Sequence, residues 1–431
     1  MWLYNYLCVV IVCCTLLSCT GNLQEGVQYA LQQAGENRGE LSKILKYYQN
    51  QPEKLKAARF LIANMPAHRT YVGKEIDSLK QMKKESIQKG RISDEIVAHW
   101  KTFNYSSSQV VEDIDVIKAD ILIENIDLAF EAWEKRSWSK QYSFEDFCEY
   151  VLPYRIGDEP LEKWRRIYYE RYSPVLDFLY QGNDVVEAAR VMANYLKEEG
   201  FTNHTDFNLP HLGALFLFEN RVGYCRDNCD IATYVMRSLG IPITMDFYEV
   251  SPSYNSRHFW SALIDTTGFV VPFNYIEQEI VRQSQNERKR GKVYRYYYGL
   301  QQEKYSGLYS DEEVPVFFRR PFMKDVSSEY FPESNIKLES SEAIDSHWGY
   351  LCVFTGAELQ PIDISEFHGK KIEFANVEPE LIYFPTLRKA GKMKAFSYPF
   401  LLKKDSIEYF IPDTTRKHCI VSVSYTHLTL P

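Results

Sequence analysis

Beyond residue 19 the chain has no apolar run of about 18 residues, the length a membrane-spanning helix needs. Glycine (20) and proline (18) are too few in 431 residues, and too irregularly placed, for a collagen-like or low-complexity chain. Basic side chains (50) are outnumbered by acidic ones (58), giving a net charge of −8. The overall basic face of a general nucleic-acid binder is therefore absent, and no nucleic-acid partner is expected. Past the N-terminal segment there is no Cys-x-x-Cys pair and no Cys/His group with zinc spacing, so no metal or organic cofactor is implied. Aromatics are abundant instead: 32 Tyr and 25 Phe exclude disorder as the dominant state. The hydrophobic share of 45% suffices for a real core, and the length allows about two to four domains.

Residues 1–18 carry no Lys, Arg, Asp or Glu and centre on Leu7-Cys8-Val9-Val10-Ile11-Val12-Cys13-Cys14, the short apolar core of a signal peptide. The following Leu16-Leu17-Ser18-Cys19 resembles a bacterial lipobox, in which the cysteine is acylated. The resemblance implies lipidation at Cys19, a membrane partner through that anchor, and a place in the bacterial cell envelope, on the periplasmic or outer-membrane face. The absence of a basic residue before the apolar core departs from the usual pattern. At the other end, residues 423–431 read as a non-native tail. Five cysteines remain outside the N-terminal segment: Cys148, Cys225, Cys229, Cys352 and Cys419. In an oxidising compartment an odd number leaves at least one thiol unpaired.

From residue 22 to about 200 the apolar spacing is helical, as in Leu41, Ile44, Leu45 and Tyr48, in residues 94–100, and in Val185 to Glu199, which Gly200 closes. Trp164 to Tyr172 is a dense aromatic and basic run, read as packing with snorkelling arginines. After residue 240 the period shortens to that of strands: Ile243 to Val250, Phe259 to Ile264 and Phe269 to Phe273, the last two joined by Asp265-Thr266-Thr267-Gly268. The basic stretch Ser284 to Lys292 reads as a solvated helix end or loop. Short strands follow at 348–355, 371–375, 380–384 and 396–402. The fold class expected is α+β. Its parts are a signal peptide (1–18), a lipid-anchored helical region (19–200), a mixed core (201–305), a β-sandwich (315–422) and the tail (423–431).

The chemistry concentrates in residues 223–274. Ile231, Val235 and Leu239 share one face of a helix that Gly240 and Pro242 end. Asp227 and Asp230 suit the positive end of its dipole. Cys225 then lies at the helix N-terminus, where aligned N–H groups lower a thiol's pKa from about 8.5 toward 7. A strand leads to Arg257-His258-Phe259-Trp260, and the next carries Pro272-Phe273-Asn274.

The combination Gly223-Tyr224-Cys225, Arg237-Ser238-Leu239-Gly240-Ile241-Pro242 and His258-Phe259-Trp260 resembles the transglutaminase-like, papain-related cysteine enzymes over roughly residues 205–280. The resemblance implies a transglutaminase-like or papain-like core with Cys225 as nucleophile and His258 as base. Where the family carries Asp to orient the histidine, this chain has Asn274, neutral but able to accept the imidazole N–H, as papain's Asn does. Asp265 is a rival for that role at the far end of the His258 strand. Cys229 reads as core packing rather than a resolving thiol, Trp260 as a core aromatic and Arg237 as structural. The function expected is a thiol-dependent amide hydrolase or acyl transferase on a peptide or protein amide. Two rivals stand beside it: a non-catalytic peptide- or glycan-binding surface lipoprotein, and a protein cross-linker.

Overall fold

The computed structural model describes residues 23–415, apart from 90–97, 99–107, 204–208, 253–255, 278, 282–287, 333, 357, 405 and 414; the side chains of 86–89 are also left aside. The N-terminal segment with Cys19, the helix expected over 94–100, Cys419 and the tail lie outside the described residues. Helix makes up 39% and strand 22%, the mixed content of an α+β chain. The chain divides into two compact units, residues 1–330 and 331–431.

The helices of the first unit include α1 (Arg38–Tyr47), α2 (Pro52–Ala63), α3 (Ala119–Glu134), α4 (Phe144–Tyr150), α5 (Arg165–Leu179), α6 (Val185–Glu199), α7 (Ala214–Asn220) and α8 (Cys225–Ser238). Five antiparallel strands follow: β1 (Ile243–Tyr248), β2 (His258–Ile264), β3 (Val270–Phe273), β4 (Tyr294–Tyr296) and β5 (Met323–Asp325), in the order β3-β2-β1-β4-β5. One hydrophobic core runs from Leu79 through α5, α6 and α8 to Val271 and Phe273. Residue 200, expected to bound a separate helical region, is therefore no division between units. Of the helices before it, α5 and α6 bury their apolar faces on the same core as α8, while α1 to α4 pack round a second one.

The C-terminal end of α8 is held by buried cations and a tryptophan. Arg165 donates to the Arg237 carbonyl (2.8 Å), Arg136 Nε to the Leu239 carbonyl (3.1 Å), and Trp138 Nε1 to the Gly240 carbonyl (2.8 Å). These satisfy carbonyls that a helix end leaves without partners, and the cations suit its negative pole. Arg165 is thus no snorkelling surface residue. It is buried, and its remaining N–H groups go to Asn125 Oδ1 and the Val151 carbonyl. Arg237 is buried beside it and donates to the Arg155 carbonyl at 2.9 Å. Gly240 takes φ +71°, and a Cβ there would meet the Ala132 carbonyl at 2.9 Å, so only glycine fits this end. Anchored at its far end, α8 presents its N-terminus, with Cys225, to the start of β2.

In the second unit a six-stranded antiparallel sheet holds β7 (Trp348–Phe354), β8 (Leu359–Glu366), β10 (Leu381–Lys389), β11 (Lys392–Ala395), β12 (Phe400–Leu402) and β13 (Ile407–Tyr409). A two-stranded ribbon pairs β6 (Ile336–Glu339) with β9 (Lys371–Phe374). The alternation buried–exposed–buried–exposed along β6 marks a half-buried strand.

Candidate active site

At the entry to α8 the Tyr224 N–H donates to Asp227 Oδ2 at 3.0 Å, closing the first turn. A Cβ on Gly223 would sit 2.2 Å from that same oxygen, so the glycine admits the carboxylate. Asp230, expected to serve the dipole, lies beyond the first turn and faces elsewhere. Cys225 is the first helical residue and is half-buried. Burial pushes its thiol up to about 11. The backbone N–H of Phe259 pulls in the other direction, Asp227 pushes up further, and the N–H and guanidinium of Arg226 pull down. The helix N-terminus was expected to lower this thiol; loss of water outweighs the favourable N–H groups.

Phe259 links the two halves of the site: it follows His258 at the head of β2, and its ring meets the Tyr224 ring edge-on, 6.3 Å centroid to centroid. Tyr248 stands opposite His258 in the β1–β2 register, and Asp246 opposite Trp260, so these four side chains share one face. The His258 ring lies 5.9 Å from the Tyr248 ring and 6.1 Å from the Trp260 ring, centroid to centroid. Its Nε2 faces Arg288 Nη1 at 3.4 Å. Burial, then Arg288, then Arg290, push the imidazole down to about 4. At neutral pH the thiol is therefore protonated and the imidazole neutral, and no hydrogen bond joins them.

The floor of the site is a buried polar chain. Trp260 Nε1 donates to Tyr330 Oη (2.9 Å), and the Tyr330 hydroxyl donates to Asp246 Oδ2 (2.5 Å). Arg295 clamps Asp246 through Nε (2.7 Å) and Nη2 (2.8 Å). The Arg290 guanidinium lies 5.2 Å from the Trp260 ring and 5.1 Å from the Tyr330 ring. Arg290 is 8% exposed and Lys292 1%, with Lys292 paired to Asp325 at 2.5 Å. This part of the stretch expected to be solvated is instead a wall of the site.

Asn274 follows β3 on the strand beside β2, and its Oδ1 accepts the N–H groups of Ile276 (3.0 Å) and Glu277 (3.3 Å). Both lone pairs of the amide oxygen are taken, so it caps a turn, and no hydrogen bond joins it to the imidazole. Asp265 also caps a turn, accepting from Thr267 and Phe269, seven residues and about 20 Å of strand from His258. Cys229, one turn along α8, is fully buried, and burial raises its thiol well above the ordinary range. Cys148, Cys225, Cys229 and Cys352 are all free thiols.

Sequence reasoning assigned nothing to His211. Its Nδ1 lies 2.8 Å from Asp230 Oδ2, both fully buried. Burial opposes the charged ring, yet the Asp230 carboxylate holds it above its ordinary value. Its backbone N–H donates to Asp158 Oδ1 at 2.8 Å. A Cβ on Gly157 would fall 2.3 Å from His211 Nε2, so backbone packs directly on the ring. Among the described residues no group of three or more His, Cys, Asp or Glu side chains is placed to hold a metal ion, and no helix is long and apolar enough to cross a membrane. No family model, no curated protein and no solved structure matches this chain.

Proposed function

We propose that the chain is a thiol-dependent amide hydrolase or acyl transferase acting on a peptide or protein amide, with Cys225 as nucleophile and His258 as base. The observation that carries the reading is the meeting of the α8 N-terminus with the head of β2: the Tyr224 ring, just before Cys225, packs edge-on against the Phe259 ring, just after His258, at 6.3 Å centroid to centroid. On this reading residues 201–305 form a transglutaminase-like core and residues 315–422 a β-sandwich domain. Acylation at Cys19 would tether the protein to the cell envelope, and palmitate incorporation that Cys19→Ala abolishes tests that anchor.

The resting pair is neutral, so attack and proton transfer go together. The Cys225 sulfur bonds to the amide carbonyl carbon while its proton passes to His258. The N–H groups at the start of α8 face the developing oxyanion. Collapse breaks the C–N bond, and His258 returns the proton to the departing amine. Water then attacks the thioester, giving up one proton to His258. The acid product leaves and the thiol is restored. Asn274 stays a turn cap throughout, and a Cys–His dyad does the chemistry.

The neutral pair also favours a second reading, a site that binds peptide or glycan without turnover. Reaction of the whole protein with an electrophilic thiol probe separates the two. Selective modification of Cys225 that His258→Ala slows by about tenfold or more supports the dyad, since a positioned base contributes on the order of 10²–10⁴. Labelling that ignores His258 supports the binding module.

A further inference from the structure

Three rings meet at His258. The Trp260 ring, two residues along β2, lies 6.1 Å from the imidazole and is tilted 30° to it. The Tyr248 ring, on β1, lies 5.9 Å from the imidazole and 6.0 Å from Trp260. Both flanking side chains are buried, and between them the imidazole is half-buried. An indole has a single polar atom, so the partner of its N–H fixes the angle at which the buried ring stands.

The bonds that reach that N–H run in one direction. Asp246 and Arg295 stand opposite one another on β1 and β4, and the guanidinium takes both carboxylate oxygens. Ionised and clamped, Asp246 only accepts, so the Tyr330 hydroxyl gives it its proton. The phenol oxygen then offers lone pairs alone, and the Trp260 indole, which only donates, takes one at 2.9 Å. The two rings also meet edge-on at 5.6 Å. Glu329, the residue before Tyr330, accepts from the same guanidinium through Nη1 (3.1 Å) and Nη2 (2.7 Å), so the chain on this side is tied down as well.

We infer that Tyr330 is a positioning residue for the proposed reaction: by fixing the Trp260 indole it keeps in place the wall that shuts water away from His258. The inference rests on the Cys225–His258 reading and adds to it a residue that controls the base. Tyr330 lies outside the core expected over 201–305 and is the last residue of the first unit. The site is thus completed by the residue from which the chain enters the second unit. Loss of water is the first cause of the low His258 titration; Arg288 and Arg290 are the charged groups that face the ring and act in the same direction. A loosened Trp260 admits water and raises the titration.

The test is the titration of His258 by NMR on the whole protein. Tyr330→Phe removes the hydroxyl but keeps the ring, and with it the surface near which the Arg290 guanidinium lies. His258 should then titrate about one pH unit higher than in the wild type. Trp260→Phe should raise it at least as much, and the double variant should titrate with Trp260→Phe, because Tyr330 acts through the indole. A residue that only stabilises the fold would lower resistance to denaturant and leave the titration where it was. A shift below about 0.2 pH unit in folded Tyr330→Phe, or shifts that add in the double variant, overturns the inference. Trp260→Phe serves if Tyr330→Phe does not fold: an unchanged His258 titration in that variant overturns the inference by itself. Cys225 modification that ignores His258→Ala overturns instead the dyad on which the inference rests. Circular dichroism of each variant establishes that it is folded before titrations are compared.

Discussion

The first unit holds two histidines in opposite settings. His211 has the carboxylate partner expected of a catalytic histidine, Asp230 at 2.8 Å, but it is sealed from solvent and packed on backbone at Gly157. Among the described residues no carboxylate pairs with His258, which faces two arginines, yet it heads the strand that meets the N-terminus of the Cys225 helix. A His–carboxylate contact is thus no guide to chemistry by itself. Buried, it is a structural cross-link: α8 is tied through Asp230 to the segment carrying His211. On the proposed reading, access to Cys225, rather than a ready-made acceptor, marks the functional histidine. Burial and the two arginines hold that imidazole neutral well below its ordinary range.

The largest effect should come from the nucleophile. Cys225→Ala is expected to abolish turnover and all probe modification at that position, whereas Cys229→Ala should leave the rate within about twofold and cost stability by the cavity it opens, about 1–2 kcal/mol. Peptide mapping and chemical denaturation read the two outcomes. Equal loss of turnover from both changes would mean that the thiols act as a pair.

Asp230→Asn should produce the largest loss of stability among single changes at the two histidines. Breaking a buried charged pair by removing one partner costs on the order of 3–5 kcal/mol. Denaturant unfolding monitored by tryptophan fluorescence measures it. A loss below about 1 kcal/mol, together with a drop in turnover of the folded variant, would reverse the assignment and make His211 the functional histidine.

Titration sharpens the contrast further. Burial and the two arginines hold His258 at about 4, so NMR should find its ring neutral down to that pH, with His211 titrating above its ordinary value. The sign for stability follows. The unfolded chain takes up a proton at His258 near pH 6.5, while the folded chain waits until about 4, so this contribution is complete above about 6.5 and is lost as pH falls toward 4. With the thiol at about 11, Cys225 modification by iodoacetamide should rise nearly tenfold per pH unit between 7 and 10. A plateau across that range would reveal a thiolate–imidazolium pair already formed at rest.

What could be read from the sequence follows from the range of the interactions involved. Val185–Glu199 was legible to the residue, because apolar spacing and a terminal glycine are local signals. The Cys225 helix was legible within one residue at each end. The strand pair β2–β3 was legible from the turn Asp265-Thr266-Thr267-Gly268 that joins it. The partners of charged side chains were not. Nothing local tells Arg165 that its acceptors lie on α3, before α5 and at the end of α8, or tells His211 that Asp230 waits on α8. The basic stretch ending at Lys292 misled for the same reason: four charges in five residues look solvated until Trp260, Tyr330 and Asp325 arrive from elsewhere to cover two of them. Asn274 was found as a residue at the right place on the neighbouring strand, but its oxygen answers to the two N–H groups that follow it.

That residue supplies the smallest effect. If Asn274 is a turn cap, Asn274→Ala removes an acceptor from the N–H groups of Ile276 and Glu277 and should cost about 1 kcal/mol of stability, the usual value of a lost side-chain cap. Asn274→Asp keeps the acceptor and should restore most of that loss. Neither change should move the pH dependence of Cys225 modification or the His258 titration by more than a few tenths of a pH unit, because the side chain does not touch the ring. An orienting residue behaves differently. Asp in contact with His258 would raise the imidazole and bring the pair toward its ionised form, flattening the rise in modification rate near neutral pH. Such flattening in Asn274→Asp, with stability unchanged, would move Asn274 from the turn to the imidazole and restore a third member to the site.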